Sequence, residues 1–397
     1  MTDSVPGGNY PKTSMQQFNY PTTIFFGQGA IERLASVIGK RGNKHLLLVT
    51  DATLVGLGVA EDVAGTLRGS GAQVTVFDHV HPNPIEDNVQ LGTAAYKENG
   101  CDAIVALGGG SPMDVAKVIK FLATHDGPLA QYEDRLGGDA LIVNPMPPVY
   151  AIPTTAGTGS EVGRSSVVTL AATQKKTIFF APQLMPDIAV LAPELTVGLP
   201  AHITAATGID AFTHCLEAWL APGFHPMADG IAQEGIKICL DCLPRCVQDG
   251  TDLDARGKML MAATMGATAF QKGLGMIHSL AHPLSAHFGL HHGLTNALLL
   301  PASIEFLEKS DLSDEQRARL AEIQRLFQIR GLAGDSLSAS CRQWFEKLGI
   351  VFGLAQHGIS EGRLDFLADE AFDDPCHGSN MIPVSRDDLL ATYRAAL

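Results

Sequence analysis

Five of the 14 histidines of this 397-residue chain fall within fifteen consecutive residues. The segment GMIHSLAHPLSAHFGLHHG, residues 275–293, contains them as His278, His282, His287, His291 and His292. Packing alone gives a core no reason to concentrate imidazoles in this way, whereas neutral imidazole is a common ligand of divalent transition metals. The segment therefore predicts a metal site, with one or two of these histidines serving in the core instead.

A second segment, GIDAFTH at residues 208–214, offers a carboxylate and one more imidazole. Asp210 and His214 are four residues apart, as are His278 and His282, and on a helix this spacing puts two side chains on one face, about 5–6 Å apart. By itself the pair formed by Asp210 and His214 is typical of an exposed helix face. Most of the surrounding residues are apolar, however, and a buried carboxylate needs a cation or several donors. Together the two segments indicate a divalent metal site.

The spacing of His278 and His292 also constrains the fold. Fourteen residues span about 21 Å along an unbroken helix, which is too far for both imidazoles to bind one ion. The chain must therefore turn back between them. Pro283, Gly289 and Gly293 are the residues that we expect to interrupt the helix.

The elements that must position these residues differ between the two halves of the chain. Short β-rich runs alternate with helical stretches up to about Leu191, and this pattern predicts a parallel sheet covered by helices. Four runs are predicted strands: HLLLVT at 45–50, QVTVF at 73–77, AIVALGG at 103–109 and VYAIPTT at 149–155.

Beyond Leu191 the pattern is helical to the C-terminus. The prolines expected to punctuate it are Pro200, Pro222, Pro244, Pro283 and Pro301. We place a boundary within residues 192–200, which divides the chain into an α/β domain, residues 1–195, and an all-helical domain, residues 196–397.

The composition limits the class of protein. The net charge of −14 argues against nucleic acid or an anionic membrane as a partner, since both require clusters of Lys and Arg. Seven cysteines and no signal peptide indicate reduced thiols and a cytoplasmic location. Cys239, Cys242 and Cys246 follow one helical face and are predicted core residues. No apolar run reaches the roughly 18 residues that span a bilayer. The polar residues 1–17 are predicted to form a loose tail.

A glycine-rich turn follows the third predicted strand, in GGGSPMDVAK at residues 108–117. Its glycines are Gly108, Gly109 and Gly110. They would let the backbone approach a ligand closely, and the helix behind them would present free N–H groups to a phosphate. Ser111, Pro112 and Asp114 are predicted as N-cap, N1 and N3 of that helix. An ordinary strand-to-helix turn is equally compatible, and the usual GxGxxG dinucleotide fingerprint is absent.

Two further features could contact a dinucleotide. Asp51 follows the strand LLLVT, where a carboxylate could accept bonds from a ribose 2′-hydroxyl and repel a 2′-phosphate, or could simply cap the next helix. The loop PTTAGTGSEV, residues 153–162, follows another strand and is rich in hydroxyls and glycine. It could line a phosphate or nicotinamide pocket, although such stretches are often only polar loops.

These motifs together resemble the iron-containing (group III) alcohol dehydrogenases, the family of lactaldehyde reductase and 1,3-propanediol dehydrogenase. The matching segments are PTTIFFGQGA, VTDATL, PNP at 82–84, GGGSPMDVAK, AIPTTAGTGSEV, ATGIDAFTHCLEA, GLGMIHSLAHPL and HHGLTNALLLP. They cover nearly the whole chain and are highly specific in this combination and order. The resemblance implies a Rossmann-like parallel-sheet domain followed by an all-α domain, an architecture shared with dehydroquinate synthase, and suggests dimers or larger even assemblies.

Carried over position by position, the resemblance implies functions for individual residues. The implied metal ligands are Asp210, His214, His278 and His292. His282 would lie beside them without binding, close to nicotinamide and substrate. The implied cofactor-binding residues are Gly108, Gly109, Gly110, Ser111, Asp114, Thr154, Thr155, Thr158 and Asp51, the last favouring NAD over NADP. Oxygen and nitrogen ligands suit Fe²⁺ and Zn²⁺ about equally, so iron is favoured by the resemblance alone.

Two segments depart from the family pattern. Relatives commonly carry Ser-Asn after Phe270, where this chain has Gln and Lys272, and the C-terminal CxxxNPR pattern survives only as Cys376 and Asn380. Both segments lie near the pocket in the family, so the substrate is the least transferable property. Lys272 and Arg164 could pair with a substrate carboxylate, or could be solvated or structural cations. Phe270 and Cys376 complete the candidate substrate-contacting residues.

The combined hypothesis is an NAD(P)-linked, metal-dependent alcohol dehydrogenase acting on a small primary alcohol, diol or hydroxy acid. The metal, held by residues that include Asp210 and His278, would act as a Lewis acid, and His282 would relay the proton. Glu217 would orient His214 or belong to the surface. The alternatives are a lyase like dehydroquinate synthase, which fits the motifs less well; a hydroxyacid-oxoacid transhydrogenase or semialdehyde reductase acting on an anionic substrate; and a non-catalytic metal or nucleotide sensor.

Overall fold

All β-strands of the described residues lie before residue 192. The computed structural model describes residues 18–397, so the tail predicted at 1–17 lies outside the described part of the chain. The strands are β1 Thr23–Phe26, β2 His45–Val49, β3 Gln73–Phe77, β4 Ala103–Gly108, β5 Val149–Pro153, β6 Ser165–Thr169, β7 Lys176–Phe180 and β8 Ile188–Leu191. The four predicted strands are confirmed as β2 to β5, each within two residues of its expected end.

The helices alternate with strands in the first half and follow one another directly in the second. In the first half they are α1 Ala30–Arg41, α2 Ala52–Gly56, α3 Val59–Arg68, α4 Glu86–Glu98 and α5 Gly110–Leu122. In the second half they are α6 Ala201–Leu220, α7 Pro226–Gln248, α8 Leu253–Ala269, α9 Met276–Phe288, α10 His292–Lys309, α11 Asp314–Gln328, α12 Leu337–Lys347, α13 Leu364–Asp373 and α14 Arg386–Ala396. The predicted change from α/β to helical structure is confirmed.

Six strands form one parallel sheet in the order β1-β8-β5-β4-β2-β3, while β6 and β7 pair antiparallel as a separate hairpin. The central strands β4, β5 and β8 are buried along their whole length, as expected where helices cover both faces of a sheet. Alternate residues enter opposite cores. Leu47 and Ile104 pack on the side of α5, and Leu48 and Val105 pack on the side of α1 and α3.

The carboxyl ends of β4 and β5 lie next to each other in the sheet. Gly108 and Pro153 are register partners, and the Thr154 N–H donates to the Gly108 carbonyl at 3.0 Å. The glycine-rich turn and the Thr-rich loop leave from these two ends, so the sheet brings them together. This edge of an open parallel sheet is where such folds bind their ligands.

The helical half is built around α6, which is buried along most of its length. It packs against α7, α8 and α10, and its Phe212 and Leu216 belong to a large apolar core. The three cysteines of α7 are buried in that core, as predicted, and all seven cysteines of the chain are free thiols. Within residues 18–397 no helix combines the length and apolar character needed to cross a membrane.

The prolines of the helical half do not all separate helices. Pro200 precedes α6 and Pro222 follows its end, as expected. Pro244, Pro283 and Pro301 instead lie inside α7, α9 and α10, so the helix breaks predicted there are wrong. An interior proline costs a helix about 3 kcal/mol, and here the burial of these long apolar helices outweighs that cost.

Candidate active site

Four side chains from three helices converge on one point in the helical half. Asp210 and His214 project from α6, His278 from α9, and His292 is the first residue of α10. The Asp210 Oδ1 atom lies 3.8 Å from Nε2 of His214, 3.8 Å from Nε2 of His278 and 3.4 Å from Nε2 of His292. Ligands about 2.1 Å from a tetrahedral ion are separated by about 3.4 Å. Asp210, His214 and His278 offer ligand atoms within 4.8 Å of one another, and His292 approaches the same carboxylate oxygen, so modest shifts would bring all four onto one ion.

Glycines allow the three helices to approach closely enough for this convergence. Gly289, at φ +66°, ends α9 in the left-handed conformation and turns the chain back, as predicted. Gly293 packs on α6, where a Cβ atom would lie 2.1 Å from the carbonyl oxygen of Ala206. Gly266 of α8 packs on His214 in the same way, since its Cβ would lie 2.9 Å from the Cβ of that histidine. A side chain at either packed glycine would push the ligands apart.

The protonation states of the cluster suit a metal. Burial by itself raises the pKa of the Asp210 carboxyl, but the neighbouring histidines outweigh burial and lower this pKa to about 2. Burial lowers the pKa of His214 to about 4 and takes that of His292 well below its usual value. At neutral pH the carboxylate is therefore ionised and these two imidazoles are neutral, which are the forms that bind metal ions.

Asn296 of α10 completes the buried polar cluster, although the sequence did not single it out. Its Nδ2 donates to Asp210 Oδ1 at 2.7 Å and lies 3.4 Å from Nε2 of both His278 and His292. Its Oδ1 is buried and has no hydrogen-bond partner among the described residues. The amide of Asn296 therefore contacts the carboxylate and two of the imidazoles, and its unpartnered oxygen leaves the polar cluster incompletely satisfied, as expected of a site that takes a cation.

Glu217 orients His278 and not His214, which corrects the expectation from its position on α6. Its Oε2 lies 2.5 Å from His278 Nδ1, and its Oε1 accepts the Ile277 N–H at 2.8 Å. The carboxylate is buried, and together with its hydrogen bond it raises the pKa of His278 despite the opposing effect of burial. A carboxylate on Nδ1 fixes the tautomer that leaves Nε2 free to bind an ion.

We expect Glu217→Gln to weaken metal binding 10- to 100-fold, the usual effect of removing a partner behind a ligating histidine. Glutamine has one accepting oxygen and no negative charge, so it cannot accept from both the Ile277 N–H and the His278 Nδ1–H. The His278 ring therefore loses its fixed orientation. Competition with a metallochromic chelator measures the change. Glu234→Gln, at an exposed ion pair with Lys237, is the matched control, and an affinity equal in both variants would contradict the assignment.

His282 lies beside the four residues, as the resemblance implied. Its ring stacks on that of His292, with centroids 5.3 Å apart, and the side chain is 41% exposed. Its Nδ1 lies 2.8 Å from Oδ2 of Asp374, whose Oδ1 accepts from Ser279 Oγ at 2.8 Å and from the Cys376 N–H at 2.9 Å. Burial opposes ionisation of Asp374, yet these bonds hold its pKa well below the usual value.

Sequence reasoning missed Asp374. It lies 92 residues from His282 in the chain, and the N-cap character of an Asp before Pro375 was the only local signal. Asn380, noted as a remnant of the family pattern, accepts the Met276 N–H at the start of α9. The C-terminal segment therefore packs against α9, the helix that carries His278 and His282, and supports it.

The glycine-rich turn and the Thr-rich loop face each other across a narrow space. A Cβ at Gly109 would lie 3.4 Å from Thr155 Oγ1, and one at Gly110 would lie 3.4 Å from Thr158 Oγ1. Helix α5 begins at Gly110 with Gly109 as its N-cap, so the prediction of Ser111 as N-cap is wrong. The Ser111 hydroxyl donates to the Pro82 carbonyl at 2.7 Å, so it does not cap α5, whose first N–H groups have no side-chain cap.

Asp114 is half-buried, and its carboxylate faces the Thr-rich loop. Its carboxylate accepts from Ser160 Oγ and Val167 N, at 3.2 and 3.1 Å. Lys117 Nζ donates to Ser160 Oγ at 2.7 Å, which completes a buried network under the Thr-rich loop. Burial raises the pKa of Asp114 to about 6 and lowers that of Lys117 to about 8. Asp114 thus contacts the loop that lines the space and supports it from below.

The Thr-rich loop also packs on the helical half. Gly159, at φ +64°, lies against α8, where a Cβ would come 2.3 Å from Ala267 Cβ. Gly157 lies against Thr207 of α6, and Glu161 Oε1 accepts from Thr264 Oγ1 of α8 at 2.7 Å. The same two helices contribute Asp210 and the glycine behind His214. The loop therefore connects the turn at the sheet edge to the cluster around Asp210.

The remaining predicted site residues have partners that define their surroundings. Asp51 caps α2, and its Oδ1 accepts the N–H groups of Thr53 and Leu54 at 2.9 and 3.1 Å. Phe270 lies against the cluster, with its ring centroid 5.1 Å from that of His214. Arg164 lies over the ring of Phe180 on the β6–β7 hairpin.

Lys272 is already compensated by a carboxylate. Its Nζ lies 2.5 Å from Asp229 Oδ1, its side chain is 2% exposed, and Arg319 pairs with the same Asp229 at 3.2 Å. Burial lowers the pKa of Lys272. Of the two interpretations given above, the surroundings favour a structural cation over a cation that waits for substrate.

Known proteins resemble this chain along its whole length. One family model, described as iron-containing alcohol dehydrogenase, matches residues 21–193, and a second, the C-terminal part of the Fe-containing alcohol dehydrogenase family, matches residues 204–397. The 4-hydroxybutyrate dehydrogenase of Cupriavidus necator is 42% identical over 385 residues, which cover 95% of this chain and 98% of that protein. The 1,3-propanediol dehydrogenase of Klebsiella pneumoniae is 35% identical, with 96% and 100% covered.

Solved structures of related proteins share the fold of this chain. A crystal structure of 1,3-propanediol oxidoreductase superposes with a TM-score of 0.87 at 34% identity and covers 96% of this chain and 100% of its own. The sulfoacetaldehyde reductase of Bifidobacterium kashiwanohense, solved in complex with NAD⁺, superposes with a TM-score of 0.84 at 27% identity, covering 97% and 99%. Sequence, fold and the geometry of the cluster lead to one conclusion: this chain belongs to the iron-containing alcohol dehydrogenase family and is an oxidoreductase that acts on CH–OH groups.

Proposed function

We propose that the chain transfers a hydride between the carbinol carbon of a small primary alcohol and NAD, using a divalent ion held by Asp210, His214, His278 and His292. The convergence of three imidazoles on the Asp210 carboxylate carries the proposal. When bound, the ion would supply Lewis-acid polarisation of the substrate oxygen. The residue ranges 1–195 and 196–397 would then be the dinucleotide-binding and metal-binding domains.

His282 is the proposed proton carrier. Its partial exposure connects the buried cluster to solvent, and imidazole exchanges protons near neutral pH. With Nδ1 bonded to Asp374, Nε2 is the ring atom left to receive the proton of the substrate hydroxyl. Asp374 acts by positioning the ring and by holding one tautomer. Phe270, beside His214, restricts water at the reacting carbon.

The dinucleotide would lie across the turn at Gly108–Ser111, with the hydroxyls of Thr155 and Thr158 opposite. The N-terminus of α5 supports this placement, because its free N–H groups and its dipole attract the pyrophosphate. Thr154, at the end of β5, borders the same space. NAD is preferred to NADP in this proposal because the Asp51 carboxylate would repel a 2′-phosphate.

Asp51→Gly is expected to relax the discrimination against NADP. Glycine caps a helix nearly as well as aspartate, so α2 should lose only a few tenths of a kcal/mol while the negative charge disappears. The ratio of kcat/KM for NAD to that for NADP should fall by about tenfold, equivalent to about 1.4 kcal/mol. Asp126→Gly, beyond the opposite end of α5, is the control. An unchanged ratio in Asp51→Gly would remove the proposed function of this carboxylate.

Fe²⁺ is the proposed ion, with Zn²⁺ as the alternative that the ligand types also allow. The family supports iron, and the cluster contains no thiolate that would select zinc. Chelation should abolish turnover, and anaerobic reconstitution with each ion separately, followed by elemental analysis and rate measurement, distinguishes them. Activity that persists in metal-free protein would contradict the proposal.

The proposed substrates are short primary alcohols with a polar far end, in particular ω-hydroxy acids and diols. The support is that relatives at 42% and 35% identity are named for 4-hydroxybutyrate and 1,3-propanediol. A panel of primary alcohols, diols and ω-hydroxy acids, assayed with NAD on reconstituted protein, tests this. NADH that accumulates with one substrate alone supports a dehydrogenase. Turnover only after a second aldehyde or oxoacid is added would favour a transhydrogenase, and binding without turnover would favour a sensor.

We further propose that the protein is cytoplasmic and forms a homodimer or a larger even assembly. Seven free cysteines support a reducing compartment. Light scattering coupled to size-exclusion chromatography tests the assembly, and a mass equal to one chain at micromolar concentration would contradict it.

A further inference from the structure

A second group of metal-binding side chains lies next to the first. It consists of His282, Asp374 and Cys376, which each offer a ligand atom within 4.8 Å of the other two. His282 belongs to α9, whereas Asp374 and Cys376 belong to the segment that follows α13. Imidazole, carboxylate and thiol at such distances form a donor set of the kind that binds zinc.

The two carboxylate oxygens of Asp374 have different partners. Asp374 Oδ1 is engaged by Ser279 Oγ and the Cys376 N–H, whereas Oδ2 lies 2.8 Å from His282 Nδ1. Ser279 Oγ also accepts the His377 N–H at 2.8 Å, so the turn that carries the thiol is anchored to α9. The Cys376 thiol is therefore kept near His282 and Asp374, and a zinc ion would replace the hydrogen bond between His282 Nδ1 and Asp374 Oδ2 with one bond to each atom.

We propose that this group, here named the thiol site, is an inhibitory Zn²⁺ site distinct from the cluster around Asp210. Zinc would bind His282 Nδ1, Asp374 Oδ2 and the Cys376 thiolate, with water in the fourth position. The Cys376 thiol releases its proton to solvent, and the proton on His282 Nδ1 moves to Nε2. The two anionic ligands neutralise the charge of the ion, which reduces its repulsion of an ion at the first cluster.

The thiolate distinguishes the two sites chemically. Sulfur ligands select zinc over iron and manganese, whereas the first cluster offers only nitrogen and oxygen. Zinc at the thiol site leaves His282 with one nitrogen on the metal and the other protonated, so the ring cannot accept a proton. The inhibition rests on the proposed function of His282, but the binding of zinc does not.

The experiment adds zinc to iron-loaded full-length protein and measures both metals by elemental analysis after desalting. The expected result is one iron and one additional zinc per chain. Cys376→Ser should keep its iron and lose the additional zinc. Its affinity for that zinc should be at least about 10-fold weaker, because removing even a partner outside the ligand shell has an effect of that size. Cys101→Ser, which changes a buried thiol in the α/β half, should behave as the unmodified protein.

Cobalt provides a readout that does not depend on activity. Co²⁺ added to iron-loaded protein should give a thiolate-to-metal charge-transfer absorption, which Cys376→Ser and Cys376→Ala should both lack. In rate assays the zinc concentration for half inhibition, normalised to each variant's own zinc-free rate, should rise at least about 10-fold in Cys376→Ser. Zinc that replaces iron one for one without an additional equivalent, or that binds the variants as tightly as the parent, would overturn the thiol site even if the dehydrogenase activity is confirmed.

Discussion

His278→Ala is expected to lose bound metal and alcohol dehydrogenase activity together, with kcat/KM at least about 10³-fold lower. Lewis-acid stabilisation contributes several kcal/mol to such reactions, and each 1.36 kcal/mol corresponds to a factor of ten. The truncation removes one of the four proposed ligands and leaves the buried Glu217 carboxylate without the partner 2.5 Å away. Metal content by elemental analysis and the initial rates with a primary alcohol at concentrations well below KM measure the two effects.

His287→Ala is the matched control for that substitution. His287 belongs to the same helix and is exposed; it pairs with the exposed Glu370 at 3.3 Å and packs edge-on against Phe366. It should retain metal and rate within about twofold, since exposed ion pairs contribute little. Full metal content in His278→Ala would reject that residue as a ligand, and loss of metal in both variants would indicate a general defect of α9.

Asp374→Asn should lower kcat by about 10²-fold or more while metal content stays unchanged. The amide can still accept from Ser279 and Cys376, but it presents an N–H group to His282 Nδ1. The imidazole is then forced into the other tautomer, with its proton on Nε2, and cannot accept from the substrate. General acid–base catalysis contributes about 10²- to 10⁴-fold, which sets the size of the expected loss.

Asp373→Asn, one residue earlier and exposed, separates this effect from a change in surface charge. The pH dependence of kcat gives a second readout, because a merely structural carboxylate would leave its shape unaltered. Asp374→Asn with a normal kcat and a normal pH profile would show that Asp374 does not position a proton carrier. A loss of metal in that variant would instead show that the C-terminal segment supports the metal cluster.

The convergence of a carboxylate with several imidazoles was predictable because these residues recur at helical spacing. Asp210 and His214 are one turn apart on a segment too apolar to bury a bare carboxylate, and the excess of histidines at 278–292 has no packing explanation. Gly289 predicted the reversal of the chain that brings His292 back to the cluster. These signals are local, and local periodicity is what a sequence displays directly.

The partners of those residues were not predictable, because they depend on how distant helices pack. Glu217 was expected to serve His214, its neighbour on α6, but tertiary packing aims it at His278, 61 residues away. Asp374 approaches His282 only because the C-terminal segment folds onto α9. Asp114 was grouped with the cofactor from its place in a motif, and its contact with Ser160 on the Thr-rich loop could not be predicted from that motif.

The fold shows the same division between local and distant signals. Strands β2 to β5 were predicted from apolar runs next to helical stretches. Strand β1 at the sheet edge pairs with β8, whose residues lie about 165 positions later, and no local pattern identifies such a pairing. The prolines inside α9 and α10 misled the prediction of helix breaks because burial, and not propensity, decides whether those helices continue.

The most direct test of the central claim is an anomalous difference map, recorded at the iron edge, from crystals grown with Fe²⁺ and NAD. The account predicts one strong peak about 2.1 Å from a carboxylate oxygen of Asp210 and from Nε2 of His214, His278 and His292. The nicotinamide ring should lie close enough to leave room for one small alcohol between it and the ion. A peak elsewhere in the chain, or a nicotinamide on the far side of the Thr-rich loop, would contradict the account.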